Sequence, residues 1–165
     1  MKNSKNNKWR ERFFRYAPLF LWICVIFAAS SKMGAMSNTS LIIRPILNWL
    51  FPNTPDEIIT LYHSYIRKLA HFTEYAVLAF WALRAFSGSA IFFLKRHHYS
   101  FAFVLVLLTA SIDEYYQSFN PVRTGSIYDV FIDCLGGLVI IALYIIFKIL
   151  KKSSVRRPPI AGTLL

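Results

Sequence analysis

Four polar side chains lie on one face of a predicted helix, at the start of a long apolar run. They are spaced three or four residues apart, as positions on one helical face are: Lys68, His71, Glu74 and Tyr75. A histidine beside a carboxylate can act as an acid–base pair, and we therefore take His71 and Glu74 as candidate catalytic residues. A charged side chain in mid-membrane costs about 2.5–3.5 kcal/mol. We therefore expect this face to meet partners inside a helix bundle.

The second polar group follows a later apolar run and holds Asp113, Glu114 and Gln117. Adjacent residues of a helix point to different faces, so we expect only one of the two acids to face inward. We favour Glu114, a further candidate catalytic residue, and Gln117 as the inward pair. Internal hydrogen bonding alone is the simpler explanation of such groups, and it stays open.

The third group lies around the start of the last apolar segment and holds Arg123, Asp129 and Asp133. The cations Lys68 and Arg123 either neutralise the carboxylates or clamp a phosphate or carboxylate of a ligand. The candidate ligand-binding residues are accordingly Lys68, Asp113, Gln117, Arg123 and Asp129. We expect Arg67 to face solvent or lipid headgroups.

The carboxylates and His71 would also suit a divalent metal, but no spacing in the chain resembles a zinc site. Cys24 and Cys134 stand on different apolar segments and match no metal or redox motif. We therefore predict neither a metal nor a cofactor.

Composition defines the class of protein. The 165 residues are 56% apolar, with a mean hydropathy of +0.43 and a net charge of +11. These values are typical of a small polytopic membrane protein with one domain and argue against a soluble one.

The apolar segments predict an all-α integral membrane protein with four transmembrane helices and a short interfacial helix. Because three further hydrophobic segments follow the first, we read the first as a retained helix and not as a signal peptide. The organisation is a basic arm at residues 1–15, a membrane domain at 16–150 and a basic tail at 151–165.

Local signals place the helices that lie between the first and last spans. A short interfacial helix capped by Ser40 is expected to break at Arg44 and Pro45. The residues Thr54 and Pro55, followed by two acids, mark a helix start, so one long helix is predicted from about Pro55 to Phe86. The remaining spans are expected at residues 99–112 and 128–150.

The basic residues predict the orientation. On the side of the membrane that holds both predicted tails lie 14 of the 19 lysines and arginines. The positive-inside rule then places both termini in the cytoplasm of a multi-pass protein of the cell membrane. This basicity is explained by topology and anionic lipids, so we predict no nucleic-acid partner.

The predicted spans also give the polar groups a common depth. With a rise of about 1.5 Å per residue, one polar group of each helix lies roughly 22–27 Å above the cytoplasmic interface. The four groups are Ser30, His71, Asp113 and Asp133. In a hydrocarbon core about 30 Å thick, this layer is in the outer leaflet. The sequence thus predicts an outward-facing polar pocket.

Three separated motifs resemble the VanZ-like family in order and spacing. They read RKLAHFTEY at residues 67–75, DEYYQSF at 113–119 and PVRTGSIYDV at 121–130, with Gly136 behind them. The resemblance implies a membrane protein of the Gram-positive cell envelope that is linked to glycopeptide (teicoplanin) resistance, by an undefined mechanism. Two residues depart from the family pattern: Val122, where the family tends to have glycine, and Asp133, where it tends to have asparagine.

Two functional hypotheses are favoured. In the first, the pocket binds a lipid-linked or anionic amphiphilic ligand without chemistry; its partners are membrane lipids, lipid-linked cell-wall intermediates or a lipophilic glycopeptide. In the second, the protein is a small intramembrane hydrolase or transferase acting on a phospholipid or polyprenyl phosphate, with His71 as general base. A proton-coupled transport subunit is disfavoured, because nothing polar continues through the inner half of the spans. The oligomeric state is left open.

Overall fold

The computed structural model describes residues 2–30, 36–119 and 126–155, and all regular structure in these ranges is α-helical. The all-α prediction is confirmed for this part of the chain. The six helices are α1 (Lys2–Ser30), α2 (Met36–Leu50), α3 (Asp56–Ser87), α4 (Phe92–Arg96), α5 (His98–Ser118) and α6 (Ile127–Val155).

Helix α3 is the centre of the fold and packs against each of the other five helices. It begins at Asp56, directly after Pro55, whose fixed φ and missing N–H suit the position before a helix. It ends at Ser87, and Gly88 caps it. The prediction of one long helix from about Pro55 to Phe86 is confirmed.

Small residues let α3 approach its neighbours in the apolar part of the bundle. Ala79, Ala82 and Ala85 are fully buried on α3, and they pack in one cluster with Ala102 and Val106 of α5. Small side chains allow close backbone approach, which gives membrane helices much of their packing energy.

Two adjacent glycines of α6 make close contacts with neighbouring helices. A Cβ atom built on Gly136 would overlap the carbonyl oxygen of Phe72 on α3. At Gly137 it would lie 2.9 Å from Cγ1 of Val106 on α5. Helix α6 is therefore seated directly against the backbone of α3, one residue after His71.

Within the described residues, two helical segments are long and apolar enough to cross a membrane, Lys8–Ser30 and Ile127–Ser153. Helices α3 and α5 are as long as a span but carry ionisable groups within it, including Glu74 and Asp113. The fold is consistent with a membrane protein, while four spans with both termini inside stay a prediction.

The interfacial segment differs from its prediction. Helix α2 begins at Met36, before the expected cap Ser40, and it runs through Pro45 without a break. A proline removes the hydrogen bond to the carbonyl four residues earlier, which here belongs to Leu41. Leu41 is exposed, so water or polar headgroups can solvate that carbonyl. The expected break at Arg44 and Pro45 is therefore wrong.

Candidate functional site

The polar face of α3 meets acidic residues of α5 and α6. The Lys68 Nζ lies 3.5 Å from an Asp129 carboxylate oxygen, and His71 Nδ1 lies 3.8 Å from Asp133 Oδ1. One turn further, Tyr75 donates a hydrogen bond of 3.2 Å from its hydroxyl to Asp113. Three successive turns of α3 thus each contact one carboxylate.

Gln117 links three helices at the end of the bundle where α5 and α6 meet. Its amide nitrogen donates to Ser30 Oγ of α1 at 3.1 Å and to Asp113 Oδ2 at 3.0 Å. Its carbonyl oxygen accepts a hydrogen bond of 3.3 Å from Arg67 of α3. The Gln117 side chain is buried, and the network connects it to the half-buried groups Ser30 of α1 and Arg67 of α3.

Two expectations about this network are wrong. Arg67, expected to face solvent or headgroups, is half-buried and bonded to Gln117. Asp113 and Glu114 are both buried, although only one was expected to face inward. The reason is that α5 packs against both α3 and α6, so two neighbouring faces of it are internal. Asp113 contacts α3, and Glu114 contacts the start of α6.

Glu114 and Asp133 are two further buried carboxylates of the site. One Glu114 oxygen accepts a 2.8 Å hydrogen bond from the backbone N–H of Ser126, at the start of α6. The other Glu114 oxygen is buried and accepts no hydrogen bond from the described residues. Asp133 is fully buried, and within the described part of the chain neither of its oxygens accepts a hydrogen bond.

These carboxylates are close enough to His71 to share an ion with it. His71, Glu114 and Asp133 each offer one ligand atom, and the three atoms lie within 4.8 Å of one another. The residues come from three different helices, so their proximity arises from tertiary packing and has no spacing signature in the sequence.

A small cavity lies on the other side of α3, between α1 and α2. Its volume is about 150 Å³, and it is lined on α3 by four polar residues: His63, Arg67, His71 and Glu74. The polar face predicted for α3 therefore meets two different environments. Glu74 faces this cavity, whereas His71 borders both the cavity and the carboxylates. Positions 63, 67, 71 and 74 follow the helical repeat, so the same spacing rule applied further back would have found His63 and Arg67.

His63 is buried in this cavity and lies 3.2 Å from the hydroxyl of Thr39 on α2. Burial, together with the nearby charges of Arg44 and Arg67, lowers the pKa of the His63 imidazole below its ordinary value. The ring is therefore neutral at pH 7.

A larger and mostly apolar groove opens between α5 and α6. It encloses about 760 Å³, within the roughly 300–1,000 Å³ usual for ligand pockets. Glu114, Ser126 and Ile127 line one end, and the remaining lining is largely apolar, as at Phe103 and Leu138. The groove therefore joins the polar site to an apolar channel along the helices.

The structure brings most of the predicted site residues together. His71, Asp113, Glu114 and Gln117 are buried, and the Lys68–Asp129 pair lies at the rim, with 48% and 21% of the two side chains exposed. Arg123 lies outside the described residues. The structure adds four residues to the predicted catalytic and ligand-binding residues: Asp133, Arg67, Tyr75 and Ser30. The roles of all these residues stay predictions.

The chain was compared with known proteins. A protein-family model described as VanZ/LLP1 matches residues 15–148, which confirms the resemblance carried by the three motifs. No curated protein and no solved structure matches the chain.

Proposed function

The chain belongs to the VanZ/LLP1 family, and from this membership and the site geometry we propose that it binds an anionic amphiphile at the outer face of the cell membrane. The ligand class is a lipid with a phosphate or carboxylate head, such as a lipid-linked cell-wall intermediate. The head occupies the polar site and the tail lies in the groove between α5 and α6.

Four spans with both termini in the cytoplasm are part of this proposal. The supports are the two apolar helices, the length of α3 and α5, and the excess of basic residues on one side of the predicted topology. In this arrangement the polar site lies in the outer leaflet, within reach of lipid headgroups.

The observation that carries the proposal is the pairing of Lys68 with an acid in the first turn of α6, the helix turn that also lines one end of the groove. Its ammonium contacts Asp129, and the neighbouring residues Ile127 and Val130 line the groove. A cation at the polar end of an apolar channel suits an amphiphile with an anionic head. Because half of the Lys68 side chain is exposed, a phosphate can reach the ammonium without unfolding the site.

In the proposed binding site, the phosphate of the ligand replaces Asp129 as the partner of Lys68. Without ligand, the Asp129 carboxylate is the counter-ion of Lys68. A phosphate head with more than one negative charge competes well for the ammonium. The link to glycopeptide resistance that the resemblance implies stays part of the proposal, because teicoplanin is lipidated and acts at the same surface.

Native mass spectrometry tests the proposal with a polyprenyl phosphate and the matching uncharged polyprenol. We expect wild-type protein to retain the phosphate, and Lys68→Gln to retain about three- to tenfold less, because the phosphate loses a charge-assisted hydrogen bond to a half-exposed ammonium. Lys95→Gln, which removes an exposed lysine of α4, is the matched control and should bind as the wild type does. Equal retention by Lys68→Gln and wild type would contradict the proposal.

A substitution in the α5–α6 groove tests whether the tail of the ligand lies there. Leu135 lines the groove, and Leu135→Trp should fill part of it. We expect this change to weaken retention of the polyprenyl phosphate while a short-chain phosphate still binds. If long-chain and short-chain phosphates respond alike, the tail does not lie in the groove.

The second candidate function, an intramembrane hydrolase or transferase, is favoured by one observation. The His71 ring lies beside Asp133 and borders the cavity that Glu74 and Arg67 also line. A base held by a carboxylate is the arrangement that general base catalysis needs. If the protein is this enzyme, wild type should turn over a polyprenyl or phospholipid phosphate, and His71→Gln should abolish turnover while ligand binding persists.

A further inference from the structure

One imidazole and two carboxylates from three helices converge inside the bundle. His71 of α3, Glu114 of α5 and Asp133 of α6 place their ligand atoms within 4.8 Å of one another. The His71 Nδ1 and Asp133 Oδ1 atoms are 3.8 Å apart. Two ligands each about 2.1 Å from a common ion are separated by roughly 3.0–4.2 Å. Small side-chain rotations therefore suffice for all three to reach one ion.

A second and independent observation points to a missing cation. Asp133 is completely buried, yet within the described part of the chain neither carboxylate oxygen accepts a hydrogen bond. Glu114 is also buried, and one of its oxygens accepts no hydrogen bond from the described residues either. Buried carboxylates are normally hydrogen-bonded, paired or bound to a metal, because desolvation of a lone charge is costly.

The charges around this point are unbalanced among the described residues. Lys68 is 3.5 Å from Asp129, and Arg67 bonds to the amide of Gln117. Among the described residues neither cation forms an ion pair with Asp133 or Glu114, although the charge of Arg67 acts on Glu114 from a longer distance. Asp113 is stabilised by the Tyr75 hydroxyl and the Gln117 amide. A divalent ion between Glu114 and Asp133 would supply the charge that these two carboxylates lack.

We propose that His71, Glu114 and Asp133 bind one divalent transition-metal ion, Zn²⁺ or Mn²⁺. An imidazole with two carboxylates suits these ions, whereas Mg²⁺ prefers oxygen ligands and retains several waters. Three protein ligands leave coordination positions open. Glu114 also lines the α5–α6 groove, so the ion lies where a ligand in the groove could complete its coordination shell.

This inference departs from the prediction from spacing that there is no metal, and it does not require the proposed lipid binding. The three ligands are 43 and 19 positions apart along the chain, from His71 to Glu114 and from Glu114 to Asp133, so no local motif marks them. In the metal-bound protein His71 Nδ1 is a ligand and is not available as a base. The metal site and the His71-base mechanism are therefore alternatives.

The test is the metal content of full-length protein in detergent. Chelator-treated protein is loaded with Zn²⁺ or Mn²⁺ alone, desalted and assayed by mass spectrometry of the metal. We expect about one ion per chain in wild type and at least a tenfold loss in Asp133→Asn and His71→Gln, since each change removes one of only three ligands. In the Mn²⁺-loaded protein, the nitrogen coupling seen by electron paramagnetic resonance should disappear in His71→Gln.

Matched variants separate this site from other histidines and acids. His63→Gln removes a buried histidine of the same helix, and Asp129→Asn removes a carboxylate of the same helix as Asp133. Both should keep the ion. Lys68→Gln should keep it as well, although lipid retention falls, so the failure of one proposal is distinct from the failure of the other.

The folding of the variants is checked without metal. Asp133→Asn preserves the side-chain shape and removes a buried charge, so the metal-free variant should melt at or above the wild-type temperature, and only the wild type should gain stability with Zn²⁺ or Mn²⁺. If Asp133→Asn does not fold, Glu114→Gln takes its place. Equal metal content and equal metal-induced stabilisation in wild type and folded ligand variants would overturn the proposal.

Discussion

The two ends of this helix bundle are held together by different forces, although the same helices build both. At the apolar end, Ala79, Ala82 and Ala85 of α3 pack against Ala102 and Val106 of α5 in a cluster of buried apolar residues. At the polar end, one to three turns earlier on α3, Lys68, His71 and Tyr75 contact carboxylates of α5 and α6.

The two ends therefore make different demands on their residues. Small apolar residues fit almost any closely packed helix pair, so the apolar end requires complementary shape and little else. At the polar end, each group needs a specific partner, and Asp133 has both oxygens without a hydrogen bond from the described residues. Such groups are retained in a membrane protein when a ligand or ion uses them. The polar end is therefore where we propose that the function lies.

The largest expected effect comes from Gly136, which lies at the boundary between the two ends. A methyl group there overlaps the Phe72 carbonyl oxygen, and a backbone atom cannot rotate away. Gly136→Ala should therefore push α6 from α3 and destabilise the protein by about 2–3 kcal/mol. It should also separate Asp133 from His71 and abolish metal retention. Unfolding in bicelles together with the metal assay measures both effects.

Gly137→Ala is the matched control for that change. The three atoms nearest to its added methyl all belong to the Val106 side chain, which can shift, so we expect a cost of about 1 kcal/mol and unchanged metal content. Equal losses of stability in the two variants would mean that the backbone contact at Phe72 has no special role.

The second effect concerns Gln117, which joins α1, α3 and α5. Gln117→Leu removes the amide donors to Ser30 and Asp113 and the acceptor for Arg67. We expect destabilisation of about 1–2 kcal/mol, because the buried Asp113 carboxylate loses a donor and Arg67 loses its acceptor. The free energy of unfolding in bicelles checks this.

Gln117→Glu tests whether stability depends on the hydrogen bonds of Gln117 or only on the size of its side chain. It keeps the size of the side chain and strengthens the contact with Arg67, but it places a second carboxylate beside Asp113. It should destabilise the protein at neutral pH and recover in acid. An apolar control, Val106→Ala, should cost about 1 kcal/mol without any dependence on pH. If Gln117→Leu is as stable as wild type, the network does not hold the polar end together.

The fold was largely predictable because its signals are local. Thr54 and Pro55 marked the start of α3 correctly, and the apolar runs correspond to α1, α5 and α6. The break expected at Pro45 was wrong. A helix tolerates a proline where the carbonyl that loses its hydrogen bond is exposed, as at Leu41. The sequence around a proline does not show whether that carbonyl is exposed in the folded chain.

The site was predictable in its membership but not in its pairing. Helical spacing and depth brought His71, Asp113 and Asp133 into one layer, yet which groups face each other depends on how α5 rotates between α3 and α6. Arg67 was expected outside because its partner Gln117 lies 50 residues away. The cluster of His71, Glu114 and Asp133 has the same origin, since its ligands converge only in the folded chain.

The smallest expected effect is a pH dependence at the contact between α2 and α3. There His63 is buried against Thr39, and burial with the charges of Arg44 and Arg67 lowers the pKa of His63 from 6.5. When α2 separates, the ring regains its ordinary pKa and binds a proton at higher pH than in the packed state. The contact therefore has full stability above pH 6.5 and weakens as the pH falls below it.

Spin labels on the exposed residues Leu41 of α2 and Leu61 of α3 can follow this contact between pH 8 and pH 5. We expect a single short distance at pH 8 and a growing fraction of longer distances below pH 6.5. His63→Gln should remove the dependence, whereas His97→Gln, which changes an exposed histidine near the opposite end of the bundle, should keep it. If His63→Gln keeps the wild-type dependence, another group that borders the same cavity, Glu74 or His71, governs the contact, and the polar end then extends to α2.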